Sequence, residues 1–335
     1  TSAVPFLFDA VNKRWVNRLA VLATWIFIIY PEGIFYCISQ MREPFLIAGG
    51  VIAFWSITKY KENHIQSIWV FFLCMLATAM ISWPVAGAIG AVLVIWFILE
   101  NSSDVKVSLR KLPWWFYLIG LVLVVLIIAS AINWFRSSIS WDWVLAQQES
   151  ERAELEISRV GEWIRIPFTL VKGVTQVVLP AAIAQPSIAI WRTMTIIRSA
   201  GWYLLIPLLI YGAYVTLRTE DRHNRRILLW VALFSLAWIL ISSARGGGDL
   251  WDNPRYRTIF LPWYALLAAY GLDWAQKNRD PWLLRVILVE AICLLFFTEW
   301  YLARYQFSSF IRLKFWTMIV WILGLSGIVI VGGFF

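Results

Sequence analysis

The sequence predicts an all-α protein, built as a polytopic bundle of transmembrane helices. Of its 335 residues, 61% are hydrophobic, only 15% are charged and 23 are tryptophan. Soluble domains carry closer to a quarter charged residues, so this composition indicates a chain whose solvent is lipid. The chain also contains about ten apolar runs, and a helix of roughly 20 apolar residues crosses a bilayer.

Each of these runs is interpreted as one span. They lie near 17–38, 43–58, 65–83, 85–100, 113–135, 200–217, 227–243, 258–275, 286–303 and 315–335. Pro84 separates the third run from the fourth and predicts a tight helical hairpin there. The run 163–198 is also apolar, but Pro167, Pro180 and Pro186 interrupt it, which predicts a re-entrant or interfacial segment.

The spans divide the chain into three parts. Residues 1–135 hold about five spans, residues 136–199 form an extracytoplasmic segment, and residues 200–335 hold about five more spans. Within the middle part, residues 140–168 intersperse glutamates with apolar residues, a pattern that predicts an amphipathic helix on the membrane surface. A solvated helical linker is the alternative for this stretch.

The distribution of basic residues predicts the orientation. With residue 1 in the cytoplasm, the cytoplasmic loops receive 15 of the 29 lysines and arginines, the short outer loops receive seven, and the long outer segment holds the other seven. Cytoplasmic loops of membrane proteins carry the excess of positive charge. We therefore expect residues 38–45, 136–199 and 245–257 on the extracytoplasmic face of a cell membrane.

Several classes of function are disfavoured by composition. The net charge of +9 does not indicate nucleic-acid binding, because the basic residues are scattered through short loops. Cys37, Cys74 and Cys293 lie in or beside apolar runs and are predicted to be buried small hydrophobic residues. With only His64 and His223, the chain offers neither a His/Cys metal site nor a His-based triad, although a divalent cation bound by carboxylates stays possible.

The most unusual polar segment is RGGGDLWDNPRYR, residues 245–257. Its glycines permit close approach of the backbone to a ligand, its arginines suit a phosphate, and its aspartates suit a cation or a sugar. The candidate binding residues are Arg245, Asp249, Asp252, Arg255, Tyr256 and Arg257. The alternative is a flexible loop whose arginines and tyrosine merely anchor the next helix at the headgroups.

A second polar segment, SQMREP, lies where the first span turns into the second. Its Arg42 could bind a phosphate, and its Glu43 could orient an acceptor hydroxyl or hold a metal. The loop is short, so both side chains stay near the membrane surface, where ionisable residues tend to face a cavity or a partner. An ordinary charged loop is the alternative.

Two stretches resemble a known family. YPEGIFYCISQMREPFLIAGGVIAFW and WDNPRYRTIFLPWYALLAAYGLDWA are similar to segments of the polytopic GT-C glycosyltransferases. The resemblance is to the group of the dolichyl-phosphate-mannose-protein mannosyltransferases and the bacterial lipid A aminoarabinose transferases. The likeness in topology covers most of the chain, but about fifty residues carry the specific motifs.

The resemblance implies transfer of a sugar from a polyprenyl-phosphate carrier on the non-cytoplasmic face. By matched position, Glu43 would be an outer-loop acid, and Arg255 and Tyr256 would lie on the phosphate side. The family's principal acid lies in its first outer loop, which has no counterpart here, so we expect a missing N-terminal part upstream of Thr1. A chain that lacks this acid would be a non-catalytic relative.

The sequence therefore predicts a membrane glycosyltransferase. Its expected partners are a lipid-linked sugar donor and membrane lipids, with partner membrane subunits possible. Charge developing on the departing phosphate would be stabilised by Arg245, Arg255 and Arg257. Glu43, or an acid upstream of Thr1, would act as the base or orient the acceptor. The alternatives are a non-catalytic membrane subunit, and a lipid-sugar flippase or polysaccharide polymerase. Transport predicts ionisable residues in the middle of spans, where this sequence has few.

Overall fold

The computed structural model describes residues 2–101, 165–184, 187–246, 252–304 and 312–332. Helices account for 86% of these residues, and no strand occurs among them. The predicted all-α class is thereby confirmed. The helices are α1 Ala3–Arg14, α2 Asn17–Ile29, α3 Pro31–Ile38, α4 Glu43–Thr58, α5 His64–Glu100, α6 Arg165–Val174, α7 Leu179–Ala184, α8 Ala189–Arg218, α9 Arg222–Gly246, α10 Asp252–Thr258, α11 Leu261–Asn278, α12 Trp282–Leu302 and α13 Phe315–Val331.

Within the described ranges, three helices are long and apolar enough to cross a membrane, namely α5, α8 and α9. A fourth span is added if α2 and α3, which meet at a bend of 56°, are counted as one. The ten spans stay a prediction, and the one expected at 113–135 lies outside the described residues.

The proline-interrupted run 163–198 does not form one continuous segment among the described residues. Its described part forms the short helices α6 and α7, and its last residues are already the first turns of α8. The span expected at 200–217 therefore begins at Ala189, because none of the three prolines lies beyond position 186. A re-entrant path for this run stays a prediction.

Helix α5 contains the predicted hairpin. The backbone at Ser82 is not helical, two residues before Pro84, so that α5 consists of two helical legs. The ring of Tyr60 contacts His64 at the start of the first leg and Phe97 near the end of the second, at centroid distances of 4.4 and 4.8 Å. Both ends of α5 consequently lie at the same end of the bundle.

Helix α11 is the centre of the bundle and is buried along most of its length. Its Trp263 belongs to a column of aromatic rings that includes Trp96 and Phe54 on one side and Phe260 and Trp238 on the other. Successive ring centroids in this column are 4.3 to 6.4 Å apart, within the range of favourable aromatic pairs. A helix that is apolar on all sides must be enclosed in this way by other helices or lipid.

One end of the bundle collects the charged residues of the predicted cytoplasmic loops, and we call it the Asp273 end. Its ion pairs are Lys13–Glu62, Arg14–Glu100, Arg18–Asp273, Lys59–Asp9, Arg218–Asp280 and Lys277–Asp273. All of these pairs except Lys277–Asp273, which lies within α11, join segments that are distant in sequence. The loops assigned to one face therefore meet at one end.

The Asp9 carboxyl illustrates the balance of forces at the Asp273 end. Partial burial raises its pKa, but bonds from the Lys59 ammonium and from the Trp55 indole, whose Nε1 lies 2.6 Å from Asp9 Oδ2, outweigh that effect. The net result is a pKa below the ordinary value.

The prediction that the cysteines are buried is wrong for Cys37 and only partly met by Cys74 and Cys293. Cys37 is exposed, whereas Cys74 and Cys293 are half-buried, and all three are free thiols. The reason is that an apolar run in a membrane helix has a lipid-facing side as well as a core-facing side.

The crossing of α8 over α11 depends on two glycines. A Cβ at Gly212 would lie 2.5 Å from the carbonyl oxygen of Leu267, and one at Gly271 would lie 3.0 Å from the Cα of Gly212. Small residues allow such close approach of membrane helices. By contrast, a Cβ at Gly324 in α13 would meet nothing within 4 Å.

Replacing Gly212 by alanine should therefore destabilise the bundle, by about 1–3 kcal/mol for an overpacked contact. The matched control is Gly324→Ala, which should leave stability within about 0.5 kcal/mol of the parent or improve it. Thermal unfolding of the detergent-solubilised protein measures both variants. Equal melting temperatures for the two would contradict this account of the crossing.

Candidate functional site

At the opposite end of the bundle, two helix starts hold acidic side chains inside the protein. Pro31 and Pro44 each lie in the first turn of a helix, where a missing N–H costs nothing, and Glu32 and Glu43 stand next to them in α3 and α4. Their relative exposures are 0% and 1%. Each carboxyl group therefore lies beside the positive end of a helix dipole.

Glu32 is paired with an arginine from α8. The Nε atom of Arg198 lies 3.0 Å from Glu32 Oε2, and both side chains are buried. The same guanidinium lies 5.0 Å from the ring centroid of Phe35 and 3.5 Å, at Nη2, from the hydroxyl of Tyr36. This pair ties α3 to α8 in surroundings where losing either partner would strand a charge.

Glu43 is the centre of a second network. Its Oε1 lies 3.0 Å from Nε of Arg255 and 3.5 Å from Nε of Arg42, which is half-exposed. Nη2 of Arg255 donates to the hydroxyl of Tyr256 at 3.3 Å, and the guanidinium of Arg245 lies 4.6 Å from the Tyr256 ring centroid. Five of the predicted site residues thus form one continuous set of contacts.

The Arg257 side chain does not join the Glu43 network and has no ion-pair partner among the described residues. Its exposure is 1%, and its Cζ lies 3.4 Å from the ring centroid of Trp202. One nitrogen, Nη1, donates to the carbonyl of Val174 at 3.4 Å, and the Tyr30 hydroxyl lies within reach of the guanidinium. Among the described residues, Nε and Nη2 meet no acceptor in good hydrogen-bond geometry. The hydroxyls of Tyr30 and Tyr264 are close enough to interact with this charge. We call this part of the molecule, with both networks, the Arg257 end.

The backbone around Arg257 is fixed by close contacts between α6, α9 and α10. A Cβ at Gly246 would lie 2.5 Å from the Cα of Asn253, whose Nδ2 donates to the carbonyl of Gly173 at 3.0 Å. The indole of Trp238 donates to the carbonyl of Tyr256 at 2.9 Å. The first glycine of the triplet therefore permits close approach, as its residue type predicts, but the group that approaches is the protein's own backbone.

Not every predicted residue can be placed. Asp249, Gly247 and Gly248 lie outside the described residues, and Asp252 is described only as the first residue of α10. Tyr256 belongs to α10, and α11 starts separately at Leu261. Within the described ranges, no group of three His, Cys, Asp or Glu residues is arranged to hold a metal ion.

Comparisons with protein-family models, with curated proteins and with solved structures found no match for this chain.

Two functional candidates were missed in the sequence, namely Arg198 with its partner Glu32, and the Trp202 ring beneath Arg257. A usable signal existed for the first pair, because Arg198 lies two residues before the predicted span 200–217 and Glu32 lies inside the run 17–38. An ionisable residue inside a span requires a partner. No signal distinguished Trp202 from the other tryptophans, since ring stacking depends on the packing of α8 against α10.

Removing one member of the buried pair should be far more damaging than removing both. Arg198→Met strands the Glu32 carboxylate and should cost about 3–5 kcal/mol, whereas the double variant Glu32→Gln with Arg198→Met should recover part of this loss. Unfolding of the purified protein in sodium dodecyl sulfate measures both. The matched control is Lys13→Met, which removes one member of a partly exposed ion pair and should cost under about 1 kcal/mol of stability. If the stability losses of the two substitutions at the buried pair simply add, the two residues are not energetically coupled.

Proposed function

We propose that this chain is a membrane glycosyltransferase that takes a sugar from a polyprenyl-phosphate donor and transfers it on the extracytoplasmic face of the cell membrane. The observation that carries the proposal is the unmatched charge of Arg257, buried among aromatic rings at the end of the bundle where the predicted outer loops meet.

A phosphate is the ligand that best complements this arrangement. A guanidinium buried without a counter-ion is unfavourable, and the N–H groups of its Nε and Nη2 atoms match the geometry of paired phosphate oxygens. Sulfate-like or carboxylate ligands share this geometry, but a lipid-linked phosphate also lies at the depth of a helix end in a bilayer. Arg257 would then stabilise the negative charge that develops as the sugar leaves the carrier phosphate.

Arg255 has a different role from Arg257 in this proposal. The charge of Arg255 is already balanced by Glu43, and Arg255 also bonds to Tyr256. A phosphate bound beside Arg255 would offer this arginine a second anion and loosen its hold on Glu43. The freed carboxylate could then accept a proton from the acceptor hydroxyl.

A second candidate function is a non-catalytic membrane subunit of a larger complex. The observation that favours it is that two acids of the Arg257 end, Glu32 and Glu43, are already paired with arginines and almost completely buried. Such pairs are sufficient for a structural scaffold, and a general base normally needs access to the proton it removes.

Binding at Arg257 can be tested without knowing the sugar. Decaprenyl phosphate, titrated into the purified protein and followed by native mass spectrometry, should bind Arg257→Met at least tenfold more weakly than the parent, because the charge that faces the phosphate is gone. Arg304→Met is the matched control, since Arg304 also lies over a tryptophan, at 3.7 Å from the Trp300 ring centroid, but is exposed. Equal affinity of the two variants would exclude Arg257 as the phosphate ligand.

The variant Glu43→Gln distinguishes a catalytic protein from a non-catalytic subunit. As a transferase, this variant should retain decaprenyl phosphate binding but lose about 10²-fold or more in transfer rate, the usual contribution of a general base. Transfer is measured in proteoliposomes with a panel of polyprenyl-phosphate hexoses and a mixed acceptor extract. A parent protein that binds the carrier, transfers nothing and migrates from native membranes in a complex heavier than its own 38.8 kDa would favour the subunit.

A further inference from the structure

A groove on the side of the bundle contains the carboxyl group of Glu290. This residue has no role in the proposed function. The groove lies between α8, α12 and α13 and has a volume of about 380 Å³, within the range of small-ligand sites. Its walls are isoleucine and valine side chains, namely Ile206, Ile210, Val286, Val289 and Ile330. The relative exposures of Ile210 and Ile330 are 55% and 40%, so the groove is open at the side surface of the bundle.

Glu290 lines this groove without a partner. Both of its carboxyl oxygens are buried, and neither makes a hydrogen bond. The residue lies eight positions after the start of α12, about 12 Å along the helix axis. A carboxyl group buried without a partner is unfavourable when ionised, and in its protonated form it presents one O–H donor to whatever occupies the groove.

Arg285 lines the same groove nearer to the start of α12. It precedes Glu290 by five residues, about 7.5 Å along the axis, and its guanidinium lies 4.7 Å from the ring centroid of Trp282. The start of α12 adjoins the Asp273 end, where Arg218 approaches Asp280. Basic residues beside grooves between membrane helices attract anionic lipid headgroups.

We propose that this groove binds one anionic phospholipid. The phosphate lies at Arg285, an acyl chain follows the isoleucine and valine walls, and an ester carbonyl accepts a hydrogen bond from Glu290. The axial separation of the two polar residues matches the short distance between the phosphate and the ester linkage of such a lipid, and the open side faces the direction from which a bilayer lipid enters. This site is independent of the proposed glycosyltransferase activity.

The first experiment fills the groove. Detergent-purified full-length protein is titrated with dioleoylphosphatidylglycerol, and the first bound lipid is followed by native mass spectrometry. Ile210→Trp should weaken this binding at least fivefold. Leu204→Trp, on the same helix and 70% exposed but outside the groove, should leave it unchanged. Equal binding by the Ile210→Trp variant and the parent would overturn the proposal.

The second experiment tests the polar contacts with substitutions that keep the volume. Glu290→Gln retains an N–H donor and should bind the lipid as the parent does, whereas Glu290→Leu should bind it at least fivefold more weakly. Arg285→Gln should reduce the preference for dioleoylphosphatidylglycerol over dioleoylphosphatidylcholine to about onefold. Glu299→Leu, on the same helix but outside the groove, is the control. Parent-like binding by Glu290→Leu, or an unchanged headgroup preference in Arg285→Gln, would contradict the assignment.

Discussion

The enclosure of α11 is the constraint on which the rest of the structure depends. Because this helix is buried along most of its length, the bundle must close around it, and two glycines must allow α8 to cross it at backbone contact. The short helix α10 directly precedes α11, so the side chains of α10 lie inside this end of the bundle. Arg257 is buried for this reason, and not because its own chemistry favours burial.

Burial of the arginines then dictates where the acids must be. Glu32 and Glu43 stand at the two helix starts that face this end, and each meets a guanidinium at 3.0 Å. A desolvated charge is tolerated when it is paired and hydrogen-bonded. Arg257 departs from that pattern, since the aromatic face of Trp202 replaces a carboxylate, and rings offer a guanidinium only part of the stabilisation that an anion offers.

Much of this arrangement followed from the sequence. Composition predicted an all-helical chain, Pro84 predicted the hairpin in α5, and the alternation of loops correctly grouped Arg42, Glu43, Arg245 and Arg255. The sequence could not predict which arginine pairs with each acid. Pairing depends on how α8 and α10 are rotated about their own axes, and the lengths of apolar runs do not specify this rotation. The burial of Glu32 was likewise hidden, since a bend of 56° between α2 and α3 divides the run that contains it.

The order of the two acid–arginine pairs along the chain has a consequence for biosynthesis. Glu32 and Arg198 are 166 residues apart, and in both pairs the acid is made first. At roughly 5–20 residues per second, translation leaves Glu32 without its partner for about 10–30 s. During that interval the nascent helices must keep the acid neutral or at the water interface, so the two halves of the bundle can lock together only after α8 and α10 have left the ribosome.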